Sequence, residues 1–159
     1  MSRKADFPGL AGNWAYLDTA ATAQKPQVVI DAIAAAYGPD YATVHRGVYE
    51  RSATMTLRFE EARGKVARFI GAASPNEVVF VRGATEGINL VANSWGERLV
   101  PGDRILISAL EHHSNIVPWQ LLRDRRGIII DVAPLTADGQ IDEDALESLL
   151  TPQTKLVSI

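Results

Sequence analysis

Two of the chain's three histidines stand side by side in "ISALEHHSNIVPWQ", Ile107 to Gln120. They follow an apolar run and Glu111, and a second apolar run begins at Ile116. Metal ligation fits the pair poorly. Adjacent side chains diverge, and the helical i, i+4 histidine pair of many zinc sites is missing. Serine-triad chemistry is unsupported too, because no serine lies in a nucleophile-elbow pattern. A histidine placed here can instead lay its flat ring on a planar aromatic cofactor whose phosphate is held at a neighbouring strand end. Two solvent-facing loop histidines are the alternative this segment leaves open.

A neighbouring strand end of that kind is predicted in "VFVRGATEGIN", Val79 to Asn89. A strand ends at Arg82, and Gly83, Ala84 and Thr85 open a helix. Unpaired backbone N–H groups and the positive end of the helix dipole suit an anion there. The Thr85 hydroxyl adds a donor, and Gly83 permits close approach of the backbone. The segment is neither a Walker loop nor the dinucleotide-binding glycine pattern. Read structurally, Gly83 only makes the turn and Thr85 only caps the helix. The third histidine lies in "ATVHRGVYERS", where His45 and Arg46 either face an anionic substrate or sit in a plain surface loop.

These residues need elements to position them. "NWAYLDTAAT" reads as a short strand running into a turn, and "PQVVIDAIAAAY" as a helix with Val29, Ile30, Ile33 and Tyr37 at helical spacing. "GPDYATVHRGVYERS" reads as a loop. "TLRFEEARGKVARFIGA" is an amphipathic helix with Phe59, Ala62, Val66, Phe69 and Ile70 on one stripe. From Asn76 onward the order is β-α-β-α-β-α-β. Its strands are "NEVVFVRG", "GDRILISA", "IIIDVAPL" and "KLVSI". The helix after "DGQI" is predicted to be capped by Asp142. Continuously apolar strands alternating with helices predict an α/β fold with a mostly parallel sheet flanked by helices.

Composition narrows the function classes. The 159 residues are 47% hydrophobic, enough for a real core. Sixteen basic and 19 acidic residues give a net charge of −3, which offers nucleic acid or an anionic membrane no attraction. The absence of cysteine excludes a disulfide framework, thiolate metal sites and a cysteine nucleophile within these residues. "MSRKADFPGL" lacks the apolar core of a signal peptide, so a cytoplasmic protein is expected. The last residues, "TPQTKLVSI", read as a turn and a strand within which the chain stops, so a piece of a longer protein is expected.

Four segments in order, "AYLDTAATAQKP", "VHRGVY", "NEVVFVRGATEGINLVANSWG" and "LEHHSNIVPWQ", resemble the class V aminotransferase family. The resemblance covers Asp6 to Ile159. It is nearest to the SufS-type (group II) cysteine desulfurases, with selenocysteine lyases close behind. It implies a fold type I enzyme that depends on pyridoxal 5'-phosphate (PLP) and works as a homodimer. The implied reaction takes sulfur from L-cysteine, leaving L-alanine and an enzyme persulfide for iron–sulfur cluster assembly, with a sulfur-acceptor protein as a possible partner. Ala84 and Thr85 match the turn that holds the PLP phosphate. His112 matches the histidine that stacks on the pyridine ring and assists proton transfer. Ala21 matches a position whose backbone meets the substrate carboxylate, and His45 and Arg46 match a loop near the active-site mouth. Arg82 and Glu86 match positions near the dimer interface. Residues 1–45 would be an N-terminal segment with a helix, and 46–159 the first part of the large PLP-binding domain.

The family's imine-forming lysine, nucleophilic cysteine, pyridine-pairing aspartate and carboxylate-binding arginine have no counterpart among these residues. The lysines are Lys4, Lys25, Lys65 and Lys155, none in the family's serine-histidine-lysine run. The expectation is therefore the N-terminal part of a desulfurase, inactive by itself. Alternatives are a selenocysteine lyase or another class V enzyme, and a non-catalytic phosphate-binding α/β module.

Overall fold

The computed structural model describes residues 3–12 and 14–159. Met1, Ser2 and Asn13 lie outside them, the last at the start of the first predicted strand. The chain divides into two compact units, residues 1–79 and 80–159.

The first unit carries α1 (Gln27–Tyr37) and α2 (Glu50–Ile70). Pro26 precedes α1 as its cap residue, and its carbonyl takes the first helical N–H groups. No α1 residue is buried, so the stripe of Val29, Ile30, Ile33 and Tyr37 forms as spaced but faces outward. The predicted strand near Trp14 is not found. The Tyr16 hydroxyl donates to the carbonyls of Asp18 and Thr22, and Thr22 N–H donates to Asp18 O, folding the segment into a turn.

α2 begins at Glu50, six residues before the predicted amphipathic stretch. Its first turns are held by contacts with the preceding loop that periodicity cannot show. Along its length Ser52 and Ala67 are buried, whereas Phe69 and Ile70 are exposed, so the expected stripe is covered only in part. Gly71 ends the helix in the left-handed region, φ 72°, where glycine carries no Cβ penalty.

The second unit holds α3 (Ala84–Asn93), β1 (Arg104–Ser108), α4 (Val117–Arg126), β2 (Ile129–Ala133), α5 (Glu143–Leu149) and β3 (Thr154–Ser158). The sheet order is β2-β1-β3, with both pairings parallel. β1 is central, and Ile105 to Ser108 are all buried there. Ile105 and Ile107 form one core with Ala92 of α3 and Trp119 and Leu122 of α4. Leu106, on the opposite face by strand alternation, is also fully buried. Asp142 caps α5 as predicted, accepting the Ala145 N–H at 2.9 Å.

Arg104 spans β1 to β2. Its Nε and an Nη each donate to one carboxylate oxygen of buried Asp131 at 2.6 Å. This forked hydrogen bond raises the Arg104 pKa above its ordinary value, outweighing the lowering by burial. The guanidinium therefore stays charged at every pH at which the protein is handled.

One strand of the predicted four is absent. Pro75–Glu77 forms a 3-10 turn capped by Ser74, and Val78 to Arg82 enter no ladder. A strand exists only through its pairing. Among the described residues no strand lies beside this apolar run, and Val79, Phe80 and Val81 are exposed.

Candidate functional site

Beyond Ser108 the chain leaves the C-terminal end of β1 and reaches a 3-10 turn, His113–Asn115, just before α4. His112 is the cap residue of that turn. Its Nδ1 accepts the Ser114 backbone N–H at 3.1 Å, and Ser114 Oγ lies 2.9 Å from the same nitrogen. The His112 ring is exposed, and Nε2 has no hydrogen-bond partner among the described residues. The His113 ring stands across it at 77°, with centroids 6.0 Å apart. Among the described residues no group of three or more His, Cys, Asp or Glu is placed to hold a metal ion.

A buried polar network underlies the turn. Asn115 sits at its centre, 7% exposed. Its Nδ2 donates to Glu111 Oε2 at 2.7 Å and to Ser158 O at 3.0 Å. Its Oδ1 accepts from Trp119 Nε1 at 2.9 Å and from Ser158 Oγ at 2.6 Å. Both amide hydrogens and both acceptor sites are thereby used. Ser108 Oγ donates to the other Glu111 oxygen at 2.5 Å. The ends of β1 and β3 are tied through these bonds to the residues flanking His112. In "EHHSN", Glu111 and Asn115 are the frame that holds the histidine.

α3 packs against the same turn. Its cap residue is Gly83, and no side chain caps it. The structural reading of Thr85 as a helix cap therefore fails. Thr85 lies inside the helix, and its hydroxyl makes no hydrogen bond among the described residues. The first intrahelical bond here is Gly87 N–H to Gly83 O, so the N–H groups of Ala84, Thr85 and Glu86 remain open. Glu86 turns back to accept the Arg82 N–H at 2.7 Å. A Cβ built on Gly83 meets nothing within 4 Å, so the cradle is open. Open N–H groups, a hydroxyl and a helix dipole suit a phosphate.

The remaining predicted residues lie in the first unit. Ala21 belongs to the exposed turn after Asp18, and its N–H makes no hydrogen bond among the described residues. His45 adopts φ 68°, the one positive φ outside glycine among the described residues. Its Nε2 lies 3.2 Å from Glu60 Oε1, and its ring meets Phe59 edge-on. Arg46 is exposed and makes no ion pair among the described residues. The loop is pinned to α2. Ser52 Oγ donates to Thr43 O at 2.8 Å and accepts Gly47 N–H at 3.1 Å. Thr56 Oγ1 accepts the His45 N–H at 2.9 Å. Sequence reasoning missed Ser52 and Thr56, which look like ordinary helix-surface residues in the string.

A family model for class V aminotransferases matches residues 15–159. The cysteine desulfurase of Pectobacterium carotovorum is 51% identical over 162 residues, covering 98% of this chain and 40% of that protein. The apo structure of a cysteine desulfurase from Thermococcus onnurineus is similar at TM-score 0.87 and 35% identity, covering 97% of this chain and 38% of that one. The structure of a C-DES variant, with glycine covalently linked to its PLP cofactor, gives TM-score 0.76 at 28% identity, covering 99% of this chain and 40% of that one. The chain thus spans about 40% of the length of the curated relatives it matches. With the family model matching residues 15–159, the chain belongs to the class V aminotransferase family.

Proposed function

We propose that these residues form the phosphate- and ring-holding part of a PLP-dependent cysteine desulfurase of the group II type. One observation carries the reading: α3, whose N-terminus is uncapped, packs against the turn that presents the His112 ring.

The donor set fits PLP. The N–H groups of Ala84 and Thr85 and the Thr85 hydroxyl would hold the phosphate, and the exposed His112 imidazole would lie against the pyridine ring. When bound, PLP supplies the electron sink that lets the carbon–sulfur bond of L-cysteine break. The α3 dipole favours the dianionic phosphate. His112 orients the ring by contact and offers a proton-bearing nitrogen beside it. The free N–H of Ala21 would meet the substrate carboxylate, and His45 and Arg46 would line the approach. None of Lys4, Lys25, Lys65 and Lys155 lies in the serine-histidine-lysine run in which the resemblance places the imine-forming lysine. That lysine and the sulfur-accepting cysteine would belong to other residues of the complete protein.

The same reading carries a homodimer with Arg82 and Glu86 near its interface, sulfur delivery to an acceptor for iron–sulfur cluster assembly, and a cytoplasmic setting. These rest on the resemblance of the motifs. No helix among the described residues is long and apolar enough to cross a membrane.

The test uses the full-length protein with PLP, L-cysteine and a reductant. Alanine and sulfide are expected in equal amounts. Alanine at the level given by free PLP alone would contradict the reading, and strong preference for selenocysteine would reassign it within the family.

A further inference from the structure

We infer that the backbone N–H of Ser114 locks His112 as the Nε2–H tautomer, so that this histidine offers a fixed hydrogen-bond donor, and not a lone pair, to an acceptor at the edge of its ring. The geometry of the turn carries this. An amide N–H can only donate, and that of Ser114 lies 3.1 Å from His112 Nδ1. A proton on Nδ1 would set two N–H groups against each other. With Nδ1 bare, both the amide and the Ser114 hydroxyl, 2.9 Å away, donate to it. The neutral ring then keeps its proton on Nε2, the nitrogen without a partner among the described residues. The second nitrogen of a histidine commonly selects the tautomer in this way.

The lock is stiff because its frame is stiff. Asn115, next to Ser114, has all four of its amide hydrogen-bonding positions filled and is buried. Glu111, next to His112 on the other side, has both carboxylate oxygens held, by Ser108 and Asn115. Ser114 and Asn115 are therefore positioning residues for His112. His113 is the internal control, since none of these bonds reaches its ring.

In the PLP-bound enzyme, and resting on the function proposed above, neutral His112 meets the pyridine by its ring face and keeps Nε2–H as an in-plane donor to an acceptor beside the ring. It cannot take a proton at that atom. Its acid form requires protonation at Nδ1, which breaks the bond to Ser114 N–H.

The test is ¹⁵N-histidine NMR of the full-length protein without PLP, at a pH where the rings are neutral, with His112→Gln to assign the signal. His112 is expected as a single Nε2–H tautomer and His113 as a mixture. Ser114→Ala removes the hydroxyl, keeps the amide, and should leave His112 unchanged. A tautomer mixture at His112 matching that of His113, a proton on Nδ1, or a switch to a mixture in Ser114→Ala would each overturn the inference. PLP is then added. A shift of the His112 Nε2 signal with Nδ1 still bare supports the fixed-donor role. If His112 is locked but PLP leaves both nitrogens undisturbed, the cofactor reading fails while the tautomer assignment stands.

Discussion

Trp119 donates its indole N–H to the side-chain oxygen of Asn115 at 2.9 Å, one helical turn back, with both residues buried. The contact joins the hydrophobic core to the turn that carries His112. Asn115→Asp keeps the shape and the accepting oxygen, but sets a second carboxylate oxygen where the amide faced Glu111 and the Ser158 carbonyl. Two carboxylates in contact share one proton, so the folded pair titrates above its unfolded value. Stability of Asn115→Asp should therefore be near that of the parent at low pH and fall as pH rises through the raised pKa. The deficit at neutral pH should be about 3 kcal/mol or more. Denaturant melts of parent and variant in the full-length protein, at pH 5 and pH 8, measure it. A pH-independent difference would show that Glu111 does not face this position.

Gly47 lies against Ser52, the residue that pins the His45 loop to α2. A Cβ at position 47 would come within 2.5 Å of Ser52 Cβ and nearer still to its hydroxyl. Ser52 is fully buried and holds two loop bonds, so it has no room to yield. Gly47→Ala should cost about 1–3 kcal/mol and open the loop to protease at Arg46. Limited trypsin digestion of the full-length protein checks this. Unchanged cleavage at Arg46 would mean that the loop is not held by Ser52.

Thr85 offers a hydroxyl beside the open N–H groups of α3. Hydrogen bonds to charged groups are worth about 1.5–3 kcal/mol, so Thr85→Ala should weaken PLP binding about 10- to 100-fold while the backbone donors keep a residual site. Titration of the full-length apoprotein with PLP measures it. Unaltered affinity would remove Thr85 from the phosphate set.

Much of the second unit was legible because each signal there is local. Three of the segments read there as strands became the three five-residue strands, and Asp142 capped α5. The run Val78 to Arg82 misled because a strand is a relation between two segments, and apolar residues alone do not supply the second. The start of α2 was missed for a related reason: bonds from Ser52 and Thr56 to a loop five to eleven residues away hold it. At the site, the adjacent histidines were visible as chemistry. The hydrogen bonds that hold the turn beneath them were not, because these depend on Asn115 meeting Ser158, 43 residues further on.

The central claim, that His112 presents its ring to PLP while His113 does not, is tested most directly by the visible spectrum and turnover of the two alanine variants in the full-length protein. His112→Ala should change the bound-PLP absorbance and lower turnover roughly 10²-fold or more, the range of a lost preorganised hydrogen-bond donor. His113→Ala should leave the spectrum unchanged and turnover near that of the parent. A silent His112→Ala, or the larger effect at His113, would contradict the account.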